Sequence, residues 1–268
     1  MSSHSIVSAK PDQAARARQF QQLHDSGECF YLANPWDAGS ARLFEKSGFL
    51  ALGTSSGASA ASLGKRDGEL TRDEVLSHIA ALAVATNLPL SADLEHGFGD
   101  TPDAVADTLR QVAAAGAVGA SVEDFSGNRG APILSLDHAV ARVAAAVAAA
   151  RSLPFPFMLT ARAENFLHQR PDLADTITRL QAYERAGADV LFAPALPDLV
   201  SVRTVCAALT KPVSFMTGMP GKSFSHAELA ACGVRRISFG GSFYRVALNA
   251  VKAAAAQIRE HGTFDSLH

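Results

Sequence analysis

The chain has 268 residues, of which 48% are hydrophobic and 19% are charged. This length and balance suit one globular domain spanning residues 1–268 and leave little room for a second. The formal net charge is -2 and the Lys and Arg residues are scattered, so no nucleic acid is expected as a partner.

The sequence also bears on the compartment. The first twenty residues lack the continuous apolar stretch of a secretory signal, and no later run of about 18 uncharged apolar residues appears. Cys29, Cys206 and Cys232 are too few and too irregularly spaced for a disulfide framework or a thiolate zinc site. We therefore predict a cytoplasmic protein without a membrane partner.

Short β-branched or aromatic runs alternate with longer segments of helical period, which is the pattern of βα units around a parallel sheet. The predicted strands are residues 30–34, 49–56, 88–95, 118–124, 155–162, 188–195, 212–218 and 235–241. The helices that follow them are predicted at 37–46, 71–86, 101–115, 135–150, 172–186, 199–209, 225–231 and 242–261. Eight such units in about 250 residues match the size of an α/β fold, the (β/α)8 TIM barrel.

The ends of the predicted elements support a barrel over an open sheet. Several predicted helices end in a glycine that fits a C′ cap, namely Gly48, Gly116, Gly187 and Gly233. No G-x-G-x-x-G follows the first strand, whereas an open doubly wound sheet usually carries one. Residues 11–25 are predicted as an extra N-terminal helix covering the bottom of the barrel, and 242–261 as a long C-terminal helix.

Acidic residues end the third and fourth predicted strands, at the side of this fold where active sites are built. Asp93 and Glu95 lie two apart, so their side chains are expected to share a face, and Glu123 can join them. Such carboxylates repel one another unless a cation neutralises them. Oxygen ligands without a His or Cys cluster favour Mg2+, with Mn2+ also compatible. The structural alternative is that each acid pairs with a local Lys or Arg.

Arg162 ends the fifth predicted strand, and its guanidinium can fork onto a substrate carboxylate or balance the acids. A salt bridge to Glu95 or Glu164 is compatible with either use. After the second strand, Ser55, Ser56 and Gly57 offer hydroxyl and backbone N–H groups that can hold a carboxylate or phosphonate. A plain turn is the alternative for these three residues.

Residues 53–57 also match G-x-S-x-G, the nucleophile elbow of α/β hydrolases. An elbow requires a helix directly after the turn, whereas residues 58–72 are predicted to form a loop. No obvious Asp and His partners follow at strand ends. We therefore do not predict a serine hydrolase.

Taken together, these motifs resemble the isocitrate lyase and phosphoenolpyruvate mutase superfamily, from Asn34 to about Phe264. The matching segments, in that family's order and spacing, are NPWDAGSARL, TSSGASAASLGKRDG, DLEHGFG, SVEDF and TARAENFL. The resemblance implies Asp93 as the main Mg2+ ligand, directly or through waters. It adds Asp67, with Glu95 and Glu123, as holders of the metal's water shell.

The resemblance also implies roles around the substrate. Arg162 contacts the carboxylate or the oxygen that becomes an enolate, and we count Arg162, Ser55 and Glu123 as the catalytic set. Substrate-binding residues are then Asn34, Trp36, Ser55, Ser56, Gly57 and Arg162. The family's subunits associate partly through a terminal helix, so a homodimer or homotetramer is expected.

The sequence departs from the better known branches after strand four. The lyase branch has a Lys-x-Cys-Gly-His loop there, but this chain reads DFSGNRGAPILSL, so cleavage of isocitrate or 2-methylisocitrate is not expected. The mutase branch has a lysine where Phe125 follows Asp124, and only Asn128 and Arg129 offer a substitute. The role of His96, as a proton donor or a wall residue, stays open.

Three functions follow from this pattern. The first is a Mg2+-dependent lyase that breaks a C–C bond of a small 2-oxo acid through an enolate, for example by oxaloacetate decarboxylation. The second is a hydrolase or mutase acting on the P–C bond of phosphonopyruvate. The third, from another class, is a barrel that binds a 2-oxo acid without turnover.

Overall fold

The computed structural model describes residues 12–128 and 130–267. Eight parallel strands pair in chain order, and β1 pairs with β8 to close the barrel. The strands are β1 (Phe30–Ala33), β2 (Ala51–Gly53), β3 (Leu90–Asp93), β4 (Gly119–Glu123), β5 (Met158–Arg162), β6 (Val190–Phe192), β7 (Val213–Met216) and β8 (Val234–Ser238). The predicted (β/α)8 TIM barrel is thus confirmed.

Ten α-helices lie in the described part of the chain. They are α1 (Gln13–Asp25), α2 (Ala38–Lys46), α3 (Ser56–Ser62), α4 (Arg72–Ala85), α5 (Pro102–Ala114), α6 (Leu136–Arg151), α7 (Leu173–Arg185), α8 (Leu199–Ala207), α9 (His226–Cys232) and α10 (Ser242–His261). The start of α4 shows why they begin where they do: Thr71 and Glu74 form a reciprocal capping box. The four predicted C′ glycines have φ between 85° and 107°, which disfavours residues with a Cβ.

The helix α3 was not predicted. It follows β2 directly, and its N-cap Ser55 accepts a hydrogen bond from the Ala58 N–H at 3.4 Å. The prediction of a loop at 58–72 is wrong for the first residues because a run of Ser, Gly and Ala carries no apolar periodicity. A strand, turn and helix therefore do surround the G-x-S-x-G segment, and the missing helix is no argument against a nucleophile elbow.

The end of β3 also differs from the prediction. The strand stops at Asp93, and Glu95 lies in the following turn with a left-handed φ of 50°. The expected strand alternation therefore does not bring Glu95 to the face of Asp93. Glu95 reaches the acidic group from a turn instead, in a backbone conformation that is costly for a residue with a side chain.

The N-terminal helix closes the bottom of the barrel, as predicted. Phe20 of α1 is fully buried in a cluster with residues near the strand starts, including Phe30, Val118 and Met158. The fit is close, because a Cβ added at Gly119 would lie 2.8 Å from Phe20 Cε1. This packing stabilises the end of the barrel opposite the predicted site.

The long C-terminal helix α10 differs from the other long helices in its packing. It spans 20 residues and none of them is buried. Among the helices described, none has the length and apolar character required to cross a bilayer. The three cysteines carry free thiols.

Candidate active site

Arg162 lies at the carboxyl end of β5, and carboxylates from three strand ends surround its guanidinium. Nη1 lies 3.0 Å from Asp93 Oδ1, and Nη2 lies 3.2 Å from Glu123 Oε2. Nε donates to Glu164 Oε1 at 2.9 Å. All three side chains are largely buried beside an arginine that is itself only 11% exposed. The structure thus brings together Arg162, Asp93 and Glu123.

Glu164 is a member of this group that the sequence analysis considered only as a partner of Arg162. Its side chain is 1% exposed, and its backbone N–H donates to Asp124 Oδ1 at 2.8 Å. The signal was present in the sequence, because Arg162 and Glu164 are two residues apart at a strand end. Burial raises the pKa of Glu164 to about 7.

Glu95 and Asp67 add two carboxylates to the three around Arg162 and make the region strongly acidic. Burial, with Asp93 and Asp67 nearby, raises the pKa of Glu95 to about 7. Burial also raises the pKa of Glu123 well above its ordinary value. Five carboxylates therefore share one guanidinium here, and a further cation would relieve both the desolvation and the repulsion.

The donor set fits a hydrated divalent cation. Within residues 12–128 and 130–267, no three His, Cys, Asp or Glu side chains are close enough to hold a metal ion directly. Carboxylate oxygens are nevertheless the ligands that Mg2+ and Mn2+ prefer, and Mg2+ commonly keeps several waters. Asp93 as a ligand, with Asp67, Glu95 and Glu123 bonded to its waters, stays a prediction that this donor chemistry suits.

Local hydrogen bonds orient the Asp93 carboxylate. Its Oδ2 accepts from the Ser56 N–H at 3.2 Å, and its Oδ1 accepts from Ser121 Oγ at 3.3 Å. The Asp93 N–H donates to Thr54 Oγ1 at 2.7 Å. Ser56, expected at the substrate, thus bonds to the expected metal ligand through its backbone N–H.

Gly57 and Asp67 lie against each other at the start of α3. A Cβ added at Gly57 would be 3.3 Å from both Cγ and Oδ2 of Asp67, which is tighter than most contacts of a real Cβ. Glycine at this position therefore leaves space for the Asp67 carboxylate. Asp67, which the family resemblance implied, thus contacts Gly57, which was chosen from its position after β2.

Asn34 holds three strands together at the mouth. Its Nδ2 donates to the Gly53 carbonyl at 2.9 Å and to the Thr54 carbonyl at 3.1 Å. Its Oδ1 accepts from the Phe239 N–H at 2.8 Å. Both amide hydrogens are used within the protein, so Asn34 shapes the cavity wall.

A cavity of about 570 Å³ opens at the carboxyl ends of the strands. Among the predicted site residues it is lined by Asn34, Ser55, Ser56, Gly57, Asp67, Asp93 and Arg162. Glu95 and Glu123 lie outside the lining, and Glu123 is bonded to Arg162 instead. Trp36 is also outside it, because its ring packs on Phe44 and Tyr244. Trp36, expected among the substrate-binding residues, thus does not line the cavity, whereas Tyr244 does.

A second arginine lies deeper in the barrel, and the sequence analysis did not single it out. Arg236 on β8 donates from Nε to Ser214 Oγ and from Nη2 to Thr160 Oγ1, both at 3.0 Å. Burial lowers its pKa to about 9, and Arg162 contributes in the same direction. Strand alternation in Val234–Ser238 could have placed Arg236 inward.

His96 and Asn128, whose roles were open, lie outside the cavity lining. The His96 carbonyl accepts a hydrogen bond from Arg142, its ring lies 5.8 Å from that of Phe98, and burial lowers its pKa. His96 is not among the residues that line the cavity. Asn128 Oδ1 accepts from the Gly130 N–H at 2.9 Å, and Arg129 lies outside the described residues.

A closed (β/α)8 barrel with buried acids and an arginine at the carboxyl ends of its strands defines a TIM-barrel enzyme. The profile of the phosphoenolpyruvate phosphomutase family matches residues 20–259. The chain belongs to this family, within the isocitrate lyase and phosphoenolpyruvate mutase superfamily, and is a lyase of that type. The family and enzyme class expected from the motifs are thereby confirmed.

Particular relatives cover most of the chain. It is 32% identical over 259 residues to the oxaloacetate decarboxylase of Paraburkholderia xenovorans, covering 94% of this chain and 84% of that protein. The crystal structure of a candidate lyase/mutase from Burkholderia cenocepacia J2315 has a TM-score of 0.93 and 52% identity, covering 95% and 91% of the two chains. A phosphonopyruvate hydrolase solved with oxalate and Mg++ has a TM-score of 0.84 and 27% identity, covering 93% and 89%.

Proposed function

We propose that this protein is a Mg2+-dependent lyase that breaks a C–C bond of a small 2-oxo acid through an enolate, with oxaloacetate decarboxylation as an example. The observation that carries the proposal is the Arg162 guanidinium, held by Asp93, Glu123 and Glu164 beside the cavity. An enolate develops negative charge on oxygen, and a fixed guanidinium next to a cation site stabilises that charge.

The metal site of this proposal consists of Asp93 as ligand, with Asp67, Glu95 and Glu123 bonding to the waters. When bound, Mg2+ supplies Lewis-acid stabilisation of the developing oxyanion. The hydrogen bonds from Ser56 and Ser121 keep the Asp93 carboxylate oriented. Fixed ligands of this kind need little reorganisation during the reaction.

Arg162 has donors for both the acids and a substrate. A guanidinium carries five N–H donors in a planar fork. Nε bonds to Glu164, one Nη1 hydrogen bonds to Asp93, and Nη2 contacts Glu123 and Glu164. Within the described part of the chain, the second Nη1 hydrogen is left for a substrate oxygen at the cavity, whose lining also includes Ser55.

The comparisons support the same chemistry in related proteins. One relative is named for oxaloacetate decarboxylation, and one related hydrolase was solved with oxalate and Mg++. Oxalate has the planar shape and charge of an enolate of a 2-oxo acid. A barrel built for that enolate can serve different bond cleavages, depending on the group that leaves.

The cationic groups of the cavity favour C–C over P–C cleavage. In the described part of the chain, the arginines lining the cavity are Arg162, Arg236 and Arg245. Arg162 is held by three acids, Arg236 by two hydroxyls, and Arg245 by the Gly218 carbonyl and Ser242 Oγ. A phosphonate requires cationic or amide donors closing over it, whereas a departing CO2 does not.

We further propose that the protein is a homodimer or homotetramer joined in part through α10. The helix is amphipathic, yet Val246 and Val251 are both 66% exposed and Leu248 is 48% exposed. An apolar face of this length on a soluble barrel marks a protein interface. This helix begins at the cavity, where Ser242, Tyr244 and Leu248 contribute to the wall.

The first test is calorimetric binding of oxalate to the purified protein with Mg2+, repeated with EDTA and with Asp93→Ala. The matched control is Asp25→Ala, which removes an exposed acid at the C-terminal end of α1. We expect binding that requires the metal and is lost in Asp93→Ala alone, followed by turnover of oxaloacetate in an enzyme-coupled assay. Binding without turnover of any 2-oxo acid supports the non-catalytic barrel, and absence of binding in every condition overturns the enolate site.

A further inference from the structure

The wall of the cavity has two chemically different halves. From β1 to β5, the lining contains Leu32 and several alanines but is dominated by polar or charged residues, ending with Arg162. The next inward residue around the barrel is Phe192, which is paired in register with Arg162, and β7 then contributes Met216. Leu167 and Met219 extend this side from the loops after β5 and β7. We call Leu167, Phe192, Met216 and Met219 the apolar arc.

The apolar arc begins directly beside the proposed reaction centre. Arg162 Cζ lies 5.1 Å from the centroid of the Phe192 ring, which is 7% exposed. This contact gives the guanidinium one aromatic neighbour and three acidic ones. A substrate head group held at Arg162 therefore has a hydrocarbon surface immediately next to it.

Met216 is held at the cavity by close packing with the loop after β8. A Cβ added at Gly240 would lie 2.8 Å from Met216 Sδ, so the thioether packs against this glycine backbone. Both residues line the cavity. A methionine side chain adapts its shape to an apolar occupant, and it offers no strong hydrogen bond to a charged one.

Several polar groups on this side of the barrel are bonded to the protein, among them Arg245, which lines the cavity and donates to the Gly218 carbonyl and to Ser242 Oγ. Ser214 accepts from Arg236 at 3.0 Å, and Ser238 Oγ donates to the Phe215 carbonyl at 3.4 Å. Above them, Lys222 Nζ donates to the Ala195 carbonyl at 3.0 Å. A second carboxylate placed against the apolar arc would thus be desolvated by apolar side chains.

From this division we propose that the natural substrate carries a hydrocarbon substituent beyond its 2-oxo acid head group, and that the apolar arc binds it. The inference rests on the proposed function, which places the head group at Asp93 and Arg162. The cavity volume of about 570 Å³ is consistent with it. That volume lies in the range of roughly 300 to 1,000 Å³ that suits ligands much larger than a four-carbon acid.

The expected gain in affinity comes from the transfer of methylene groups from water to the apolar arc. Each fully buried methylene is expected to tighten binding about fourfold. A second carboxylate of similar length is expected to weaken binding, because burying a charge without a partner is unfavourable. Met216 is the best residue to change, since it lines the cavity from β7, whereas Asp93 and Arg162 lie on β3 and β5.

The experiment compares four oxalate-like ligands by calorimetry with Mg2+: oxalate, N-methyloxamate, N-propyloxamate and N-oxalylglycine. The oxamate head group replaces the enolate, and the substituent on nitrogen replaces the remainder of the substrate. We expect N-propyloxamate to bind at least tenfold more tightly than N-methyloxamate, and N-oxalylglycine to bind most weakly of the substituted ligands. Met216→Ser should remove most of the gain for propyl and leave oxalate binding unchanged, whereas Met216→Leu should retain it.

The outcomes separate this inference from the function on which it rests. If oxalate binds with Mg2+ but N-oxalylglycine binds more tightly than N-propyloxamate, the inference of a hydrocarbon substituent is wrong. The proposed enolate site is then still supported. Equal affinities for methyl and propyl, or a gain that Met216→Ser leaves intact, also overturn the inference. If oxalate itself does not bind, the proposed function and the inference fail together. Leu43→Ser, on an exposed position of α2, serves as the control for an added serine.

Discussion

Arg162 combines two functions that a lysine cannot combine. Its planar fork reaches carboxylates on three strand ends while the residue also lines the cavity. A lysine keeps the positive charge but has one nitrogen on a flexible chain. The geometry of the guanidinium, more than its charge, therefore distinguishes this position.

We predict that Arg162→Lys lowers kcat on the best 2-oxo acid substrate by roughly 100- to 1,000-fold, the usual effect of losing one oxyanion donor. Steady-state kinetics at saturating Mg2+ measures it. The control is Arg72→Lys, a half-buried arginine paired with Asp107. A decrease below threefold in Arg162→Lys would show that the charge alone suffices.

His24 links the pH dependence of stability to the bottom of the barrel. Its Nδ1 lies 2.8 Å from the Phe20 carbonyl, and burial lowers its pKa to about 3, with Arg236 contributing in the same direction. A histidine whose folded pKa is depressed stabilises the fold above its unfolded pKa of about 6.5. That contribution is lost as the pH falls from about 6.5 toward the folded value.

We predict that His24→Asn, which can still donate to the Phe20 carbonyl, makes stability less sensitive to acid. Relative to pH 7, the wild type should lose about 2 kcal/mol more than the variant at pH 5, from about 1.4 kcal/mol per pH unit below the unfolded pKa. Urea unfolding at pH 7, 6 and 5 measures the difference. The carboxylates with raised pKa values have the opposite effect on the pH dependence of stability. They are present in both proteins, so their effect cancels in the difference between wild type and variant. Parallel stability curves would contradict the prediction.

Among the elements, α3 shows how a short helix positions the site. Gly57 occupies its second position, and the space above this glycine is filled by the Asp67 carboxylate. Gly39 occupies the second position of α2 and has only an ordinary contact with Asp37 Oδ1 at 3.4 Å. The two glycines therefore occupy the same position in their helices but differ in the contact that an added Cβ would make.

We predict that Gly57→Ala weakens Mg2+-dependent oxalate binding by about tenfold while leaving the melting temperature within a few degrees of wild type. Displacing Asp67 disturbs the water shell of the metal, whereas alanine favours the helix by about 1 kcal/mol relative to glycine. Gly39→Ala should leave binding unchanged. The measurements are calorimetry with Mg2+ and thermal unfolding. Equal oxalate affinities in both variants would place Asp67 outside the site.

The elements also show what the sequence could predict. Strands such as β4 and helices such as α5 have a clear period and caps, so their positions followed from local physics. The helix α3 has no apolar period, and its existence depends on the barrel around it. Glu95 reaches the acids through a left-handed turn, which sequence spacing does not encode.

The residues of the site also divide into those that the sequence predicted and those that it did not. Asp93, Glu123 and Arg162 end strands, so the fold alone predicted that they would meet. Asp67 came from family resemblance, because it lies in a loop of no regular pattern. Glu164 was considered only as a salt-bridge partner of Arg162, and Arg236 was not singled out, although strand spacing pointed to both.

Over the whole molecule, the barrel separates stability from chemistry along its axis. The α1 end is closed by apolar packing around Phe20, and the opposite end contains charged groups at the carboxyl ends of the strands. Between them, Arg236 bonds to hydroxyl groups on β5 and β7. The repulsion among the acids is tolerated because the remainder of the barrel has a large apolar core.

The long helix α10 has an apolar face that the barrel does not cover. Its valines at 246 and 251 expose apolar side chains, although its first turn borders the cavity. Apolar surface of this kind is stabilised by removing it from water at an interface. A second copy of the chain offers the same helix and can form a closed, symmetric contact.

We predict that the wild type has a mass that is two or four times 28.0 kDa in size-exclusion chromatography with light scattering. The double variant Val246→Glu and Val251→Glu should shift toward smaller species, because it places charges on the apolar face. Asn249→Glu, on an exposed position of the same helix, adds charge without removing apolar area and should retain the wild-type mass. A wild type of 28.0 kDa would contradict the assembly. If the double variant becomes smaller and also binds oxalate less tightly, the partner subunit contributes to closing the cavity beside α10.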